Sequence, residues 1–321
     1  MADLMHALVL QGGQMFLVLV LAPLLMGVVR RIKARLQRRR GADLLQPYYD
    51  LWKLLRKEVV PAENASRFYR IAPYVIFAAI WVAAALVPTF ASGLMFNWSA
   101  DLIVIVGLLA TARFTLALAG MDVGTSFGGI GASREMMIAV FAEPAMLMVV
   151  FTLSMLAHST QLSAIADYLI LQPVGLRISL GLTLVTFTIV LLAENARIPV
   201  DNPATHLELT MVHEAMLLEY SGRHLALLEF AAAIKLLLYV SIFICLFFPF
   251  GMATGAPAAA AILVGVLLYL LKLGIGGSLL ALGESAVAKM RVFRLGEFLG
   301  MAFVLGLLAV LLLFVTRGVR G

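Results

Sequence analysis

The chain has 321 residues, of which 63% are hydrophobic and 13% charged, and it carries a formal net charge of +6. Average soluble proteins are about 25% charged, so a water-soluble globular domain is excluded. The apolar runs also lack the period-2 alternation of a transmembrane barrel, which leaves an all-α, polytopic membrane protein.

Eight apolar segments are expected to cross the bilayer, at residues 13–30, 71–91, 101–120, 135–157, 176–193, 223–249, 257–282 and 296–316. Each is close to the roughly 20 residues a helix needs to cross a hydrocarbon core. Residues 1–321 then form a single integral membrane domain, joined on one side by loops 31–70, 121–134, 194–222 and 283–295. In the first segment the positive charges follow the apolar run, from Arg30-Arg31, and no A-x-A-like site intervenes. A retained span is expected there, not a cleaved leader.

Residues 31–70 interleave Leu44, Leu45, Tyr48, Leu51, Trp52, Leu54 and Leu55 with charge. That spacing predicts an amphipathic helix lying in the interface, which is also a platform for a partner. Twelve of the 24 lysines and arginines lie between Arg30 and Arg70, and Arg134, Arg197, Arg223, Lys289, Arg291 and Arg294 fall in loops on the same side. Only Arg177, Arg317 and Arg320 lie opposite. The positive-inside rule places the charged loops in the cytoplasm and both termini outside. The basic surplus is thus topological and faces anionic lipid headgroups, not nucleic acid.

Arg113, Glu143, Glu229, Lys235 and Lys272 fall inside apolar runs, where a charge facing lipid is costly, so each must face protein or water. Glu143 precedes Pro144, where a span loses a backbone bond and can bend around a cavity. Such charges serve either a proton relay or an ion pair joining two spans. The glycine-rich Gly128–Ser133 lacks the Lys-Ser/Thr ending of a phosphate loop and reads as a tight turn.

Leu191–Gly222 packs five carboxylates, two histidines and Arg197 between two apolar segments. Pro199 and Pro203 interrupt it, and Thr205–Leu218 has the potential for a short re-entrant or interfacial helix. His213-Glu214 has Leu217 where a zinc helix would need its second histidine. With five scattered histidines and Cys245 alone in a span, no tightly bound metal, disulfide or cysteine-ligated cluster is expected in this chain. Acids at this depth make sense if the loop lines an aqueous or ligand-filled chamber.

Glu194-x-x-Arg197-x-Pro199-x-Asp201, then Glu208-Leu209 and Glu219-Tyr220-Ser221-Gly222, resembles the signature of subunit 1 of respiratory complex I and its relatives in membrane-bound group 4 nickel–iron hydrogenases. Arg39-Arg40-Gly41 with Gln46, Asp50, Lys53-Leu54 and Lys57-Glu58 resembles the family's first cytoplasmic loop. Gly131–Glu135 and Glu143-Pro144 resemble the hydrogenase-4 and formate-hydrogenlyase branch. The resemblance covers essentially the whole chain. Two departures stand out: His206 where the family commonly has an acid, and a Glu208–Glu219 interval about three residues longer than in most relatives, with His213-Glu214 in the surplus.

The resemblance implies a membrane anchor and coupling subunit in a bacterial or archaeal inner membrane. It implies partners: an iron–sulfur small subunit, a hydrogenase-like large subunit and antiporter-like membrane subunits. Iron–sulfur clusters and any nickel–iron centre would sit in those partners. Glu143, Glu194, Arg197, Asp201, Glu208, Glu214, Glu219, Glu229 and Lys235 would form a chamber and proton path, with Arg197 steadying the loop's acids. Arg40, Asp50, Lys53, Asp122, Arg134 and Glu135 would serve the chamber or docking. Two readings compete: a quinone-binding subunit of a genuine complex I, and an independent ion-coupled transporter. Against the latter, no internal repeat joins two halves.

Overall fold

A computed structural model describes residues 2–92, 95–171, 178–201, 212–253, 259–287 and 294–318. Glu208 and His206 lie outside the described residues. The described elements are α1 (Ala2–Leu36), α2 (Gln46–Leu55), α3 (Arg67–Leu86), a 3-10 turn (Met95–Ser99), α4 (Leu102–Asp122), α5 (Ser126–Ala157), α6 (Leu162–Leu171), α7 (Ile178–Glu194), α8 (His213–Leu217), α9 (Gly222–Phe247), α10 (Ala259–Ala286) and α11 (Leu295–Gly318). The chain is an all-α integral membrane protein.

Seven of the described helices are long and apolar enough to cross a bilayer. The fifth expected segment is α7, whose 17 residues give about 26 Å of helix at 1.5 Å per residue. The amphipathic α2 sits where the sequence predicts it, with Tyr49, Trp52 and Leu55 exposed. Three loops are shorter than expected, the first because α1 runs to Leu36 and α3 begins at Arg67. Residues 126–134 form the first turns of α5, and α10 runs to Ala286. Helix α6 was not expected.

Gly128–Ser133 is therefore helical and not a tight turn. The Thr125 side chain accepts from the Gly128 amide at 3.2 Å and caps α5, so the helix begins before the glycines. The glycines instead permit close packing. A Cβ at Gly128 would collide with the Gly120 carbonyl of α4, and one at Gly131 would lie 2.9 Å from Met216 Cγ of α8. The short α8 is thus seated in a groove between α4 and α5.

The neighbouring loops are stitched to each other. Tyr69 and Tyr220 stack with ring centroids 4.0 Å apart, and the Tyr220 hydroxyl donates to the Tyr69 carbonyl at 3.2 Å. Burial raises the Tyr220 pKa from its ordinary value, keeping that donor protonated. Ser221 Oγ accepts from the Val60 amide at 2.8 Å and donates to the Val60 carbonyl at 2.9 Å. Asp122 accepts from the Ser66 amide at 3.0 Å, fixing the end of α4 against the start of α3. Pro23 interrupts the backbone ladder of α1, and the Tyr48 hydroxyl of α2 donates to the nearby Val20 carbonyl.

At the far end of the bundle, backbone bonds join Ser92 and Phe90 to Ala253, and Leu102 and Leu162 to Thr160 and Ala100. Lys272, one of the unexpected intramembrane charges, donates to the Phe248 carbonyl at 2.7 Å and to that of Phe250. It thereby neutralises carbonyls left open past the end of α9.

Because α4 and α5 approach backbone to backbone at Gly120 and Gly128, Gly128→Ala is expected to cost about 1–3 kcal/mol through overpacking. The midpoint of thermal unfolding of the detergent-solubilised protein, compared with that of Gly129→Ala, where a Cβ meets open space, checks this.

Candidate functional site

A chamber of about 1100 Å³ opens between α1, α2, α3, α4, the first turns of α5, the end of α7, α8, α9 and α10. Apolar side chains such as Ile76, Ile80, Leu225 and Leu228 share its wall with charged ones. Of the expected proton-path residues, Glu194, Arg197, Asp201, Glu214, Glu229 and Lys235 line it. Arg40, Asp50 and Glu135 join them from the expected docking set. Glu143, Glu219, Lys53, Asp122 and Arg134 do not line it. Glu219 is the residue before the stacked Tyr220, and Asp122 is committed to the Ser66 amide.

Arg113 of α4 is also part of the wall, 5% exposed in the middle of an apolar helix. Its Nε lies 3.6 Å from Glu135, its Nη1 3.0 Å from Glu143, and its Nη2 contacts Glu194. The other Glu194 oxygen lies 3.0 Å from Lys235 Nζ of α9. One guanidinium thus collects acids from α5 and α7, and Lys235 shares the last of them. A guanidinium suits this task because its planar fork presents donors in several directions at once.

Among the described residues, three carboxylates face two cations in this cluster, one surplus negative charge when all five are ionised. A second cavity, of about 10 Å³, adjoins this cluster and is lined by Arg113, Glu143, Glu194 and Tyr239 among others. That is room for about one water. The Glu194 side chain is 3% exposed, whereas that of Glu143 is 39% exposed and reaches the outer surface of the bundle. Charge therefore runs continuously from the chamber wall to the side of the bundle.

Arg197, expected to steady the loop's acids, pairs with an acid on a different helix. Its Nη1 lies 3.2 Å from Glu284 of α10, and Lys33 of α1 donates to the same carboxylate at 2.9 Å. Arg197 Nη2 lies 2.9 Å from Met26 Sδ. Burial lowers the Arg197 pKa from its ordinary value and Glu284 counteracts this, so the pair depends on the buried carboxylate. Of the described acids, Glu194 is held by Arg113 and Lys235, and Asp201 accepts from the Val212 amide at 3.2 Å.

Glu284 escaped sequence reasoning because Gly283-Glu284-Ser285 reads as the start of a loop. The signal was an acid less than one helical turn beyond the expected end of a span. Such a residue is buried whenever the helix runs on, and α10 does.

The chain was compared with known proteins. A family model described as NADH dehydrogenase matches residues 11–316. Hydrogenase-4 component C of Escherichia coli (strain K12) is 32% identical over 300 residues, covering 92% of this chain and 93% of that protein. Formate hydrogenlyase subunit 4 of the same organism is 32% identical over 87% of this chain and 90% of that protein. An NADH-quinone oxidoreductase subunit of Phocaeicola vulgatus is 28% identical over 75% of this chain and 69% of that one. The fold is also that of a chain in the membrane-bound sulfane sulfur reductase, an archaeal respiratory membrane complex, with a TM-score of 0.78 at 18% identity over 98% of this chain and 100% of that chain.

Removing the carboxylate from Glu284 leaves Arg197 and Lys33 facing each other without it. Glu284→Ala is expected to destabilise the protein by roughly 3–5 kcal/mol, the cost of an uncompensated buried charge. Thermal unfolding should show Glu284→Ala well below Glu284→Asp, which keeps the charge.

Proposed function

The chain belongs to the NADH dehydrogenase family, and on that premise we propose that it is the membrane anchor and coupling subunit of a redox-driven ion pump. In this reading it joins a peripheral iron–sulfur and hydrogenase-like arm to antiporter-like membrane subunits. The chamber end of the bundle faces the cytoplasm of a bacterial or archaeal cell, where the basic loops lie, and both termini lie outside. Iron–sulfur clusters, and nickel–iron in the hydrogenase branch, belong to the partners. The two relatives matched at 32% identity over most of their length favour that branch.

The observation that carries the reading is the Arg113 cluster, which links the chamber wall at Glu135 and Glu194 to Glu143 at the side of the bundle. Its uncompensated negative charge draws a proton from the chamber, because Coulomb attraction is strong where water is excluded. A proton on Glu194 weakens that residue's hold on both Arg113 and Lys235, and the guanidinium is then free to pair more closely with Glu143. The cavity between Glu194 and Glu143 accommodates a water that carries the proton onward. Charge change in the partner arm next to the chamber biases this exchange, and the bias couples redox chemistry to ion movement. Loop residues Asp201, Glu208, Glu214 and Glu219 supply the acidic approach, and Glu229 extends the chamber wall along α9. The exposed α2 and the loops carrying Arg40, Lys53, Asp122 and Arg134 form the docking face.

A second reading rests on the chamber itself: about 1100 Å³ with apolar side chains in its wall suits an amphiphile such as a quinone. Photolabelling by an azidoquinone at Ile76, Leu225 or Leu228 would support it.

In the assembled complex, Glu143→Gln is expected to preserve assembly and reduce coupled turnover or ion translocation in sealed vesicles by at least roughly tenfold, as loss of a proton-transfer group does. Full turnover with full translocation would overturn the relay.

A further inference from the structure

His213 opens α8 and lines the chamber, yet the carboxylate route described above does not use it. The turn that carries it is held by its neighbours. Ala215 and Met216 sit against Gly131, where an added Cβ would lie within 3.0 Å of both. The preceding Val212 amide is bound to Asp201, and the following Tyr220 and Ser221 are tied to Tyr69 and Val60. His213 is part of the chamber wall.

Among the described histidines it alone is so placed. His158 ends α5 in the left-handed conformation, and His224 packs edge-on against Tyr74. The charged groups around His213 come from four elements: Glu135 on α5, Lys235 on α9, Asp201 in the loop after α7, and Glu214 on its own turn. Beyond Glu135 and Lys235 lie Arg113 and Glu194.

We propose that His213 is a proton-transfer residue of the chamber, passing protons between the chamber and the Arg113 cluster. A neutral imidazole has one lone pair and one N–H. It accepts a proton from the chamber on the bare nitrogen, becomes imidazolium, and releases the proton of the other nitrogen to an ionised carboxylate, Glu135 or Glu194. The tautomers interchange and no net charge stays behind. The cluster's single uncompensated negative charge stabilises the transient imidazolium, since one added cation balances three carboxylates against three cations. The step rests on the coupling role proposed above.

Burial lowers the His213 pKa below its ordinary 6.5, with Lys235 acting in the same sense and Glu135 and Asp201 opposing. The resting imidazole is therefore neutral at neutral pH, as an acceptor must be. The sign for stability follows: the folded form binds the proton less readily than the unfolded chain, so the contribution is complete above pH 6.5 and is lost as pH falls below it.

The test uses the assembled complex in sealed native vesicles, with turnover and proton translocation measured between about pH 5 and 8. His213→Gln keeps the hydrogen bonding and removes the titration. It is expected to lower coupled turnover at least roughly tenfold and to abolish the acid limb of the pH profile. His213→Ala is expected to recover turnover when imidazole is added, because the chamber admits it, and recovery should track the basicity of substituted imidazoles. A His213→Gln complex with wild-type turnover and pH profile overturns the proposal, as does a His213→Ala complex indifferent to imidazole. Failure of both variants to assemble assigns His213 to packing and overturns it too. Glu143→Gln, measured in parallel, separates the two readings: if it impairs coupling while His213→Gln does not, the path stands without the histidine, and if neither does, the path itself falls.

Discussion

A guanidinium buried among apolar helices has to be compensated on every side, and that of Arg113 organises the centre of this bundle. Its partners come from α5 and α7, and Lys235 of α9 joins through Glu194. None of these charges is tolerable alone at that depth. Each helix is consequently held in rotation and height by the need to keep its charge on the shared site. Lipid gives no hydrophobic drive for helix to bind helix, so a polar centre of this kind specifies which faces meet. The close approaches at Gly120, Gly128 and Gly131 then supply the packing.

Polar contacts also hold the two described ends of the loop after α7. Lys235 pairs with Glu194 at the end of α7, the Val212 amide donates to Asp201, and Tyr220 and Ser221 anchor the far end to α3 and the preceding loop. A wall made of charged loop and apolar helix encloses a chamber that is neither fully wet nor fully dry. In such a space a proton or a polar ligand feels the wall's charges with little screening.

Much of this was legible from the residues. Runs of about 20 apolar residues gave the membrane class and the places of the spans, and Leu44 to Leu55 gave α2, because length and periodicity are local properties. Arg113, Glu143 and Lys235 stood out as charges that lipid would refuse, and three of the five such charges meet at one site. Their pairing was not legible, since it depends on helix rotation. Arg197 looked like the partner of its neighbours in sequence, yet it reaches 87 positions along the chain to Glu284. Gly128–Ser133 looked like a turn because glycine favours turns, whereas here its lack of a side chain serves contact between helices. Helix α6, ten residues long, was too short to register as a span.

The two ion clusters differ in one respect that links them. Among the described residues, two cations meet three carboxylates around Arg113; around Glu284, two cations, Lys33 and Arg197, meet one. With every group ionised, the first carries one surplus negative charge and the second one surplus positive charge. Glu194, Arg197 and Glu284 all contribute to the wall of the same chamber. The chamber wall therefore carries patches of opposite sign: taken alone, the first cluster attracts a proton and the second repels it. An anion experiences the reverse. The unequal composition of two ion clusters thus distinguishes one part of the wall from another.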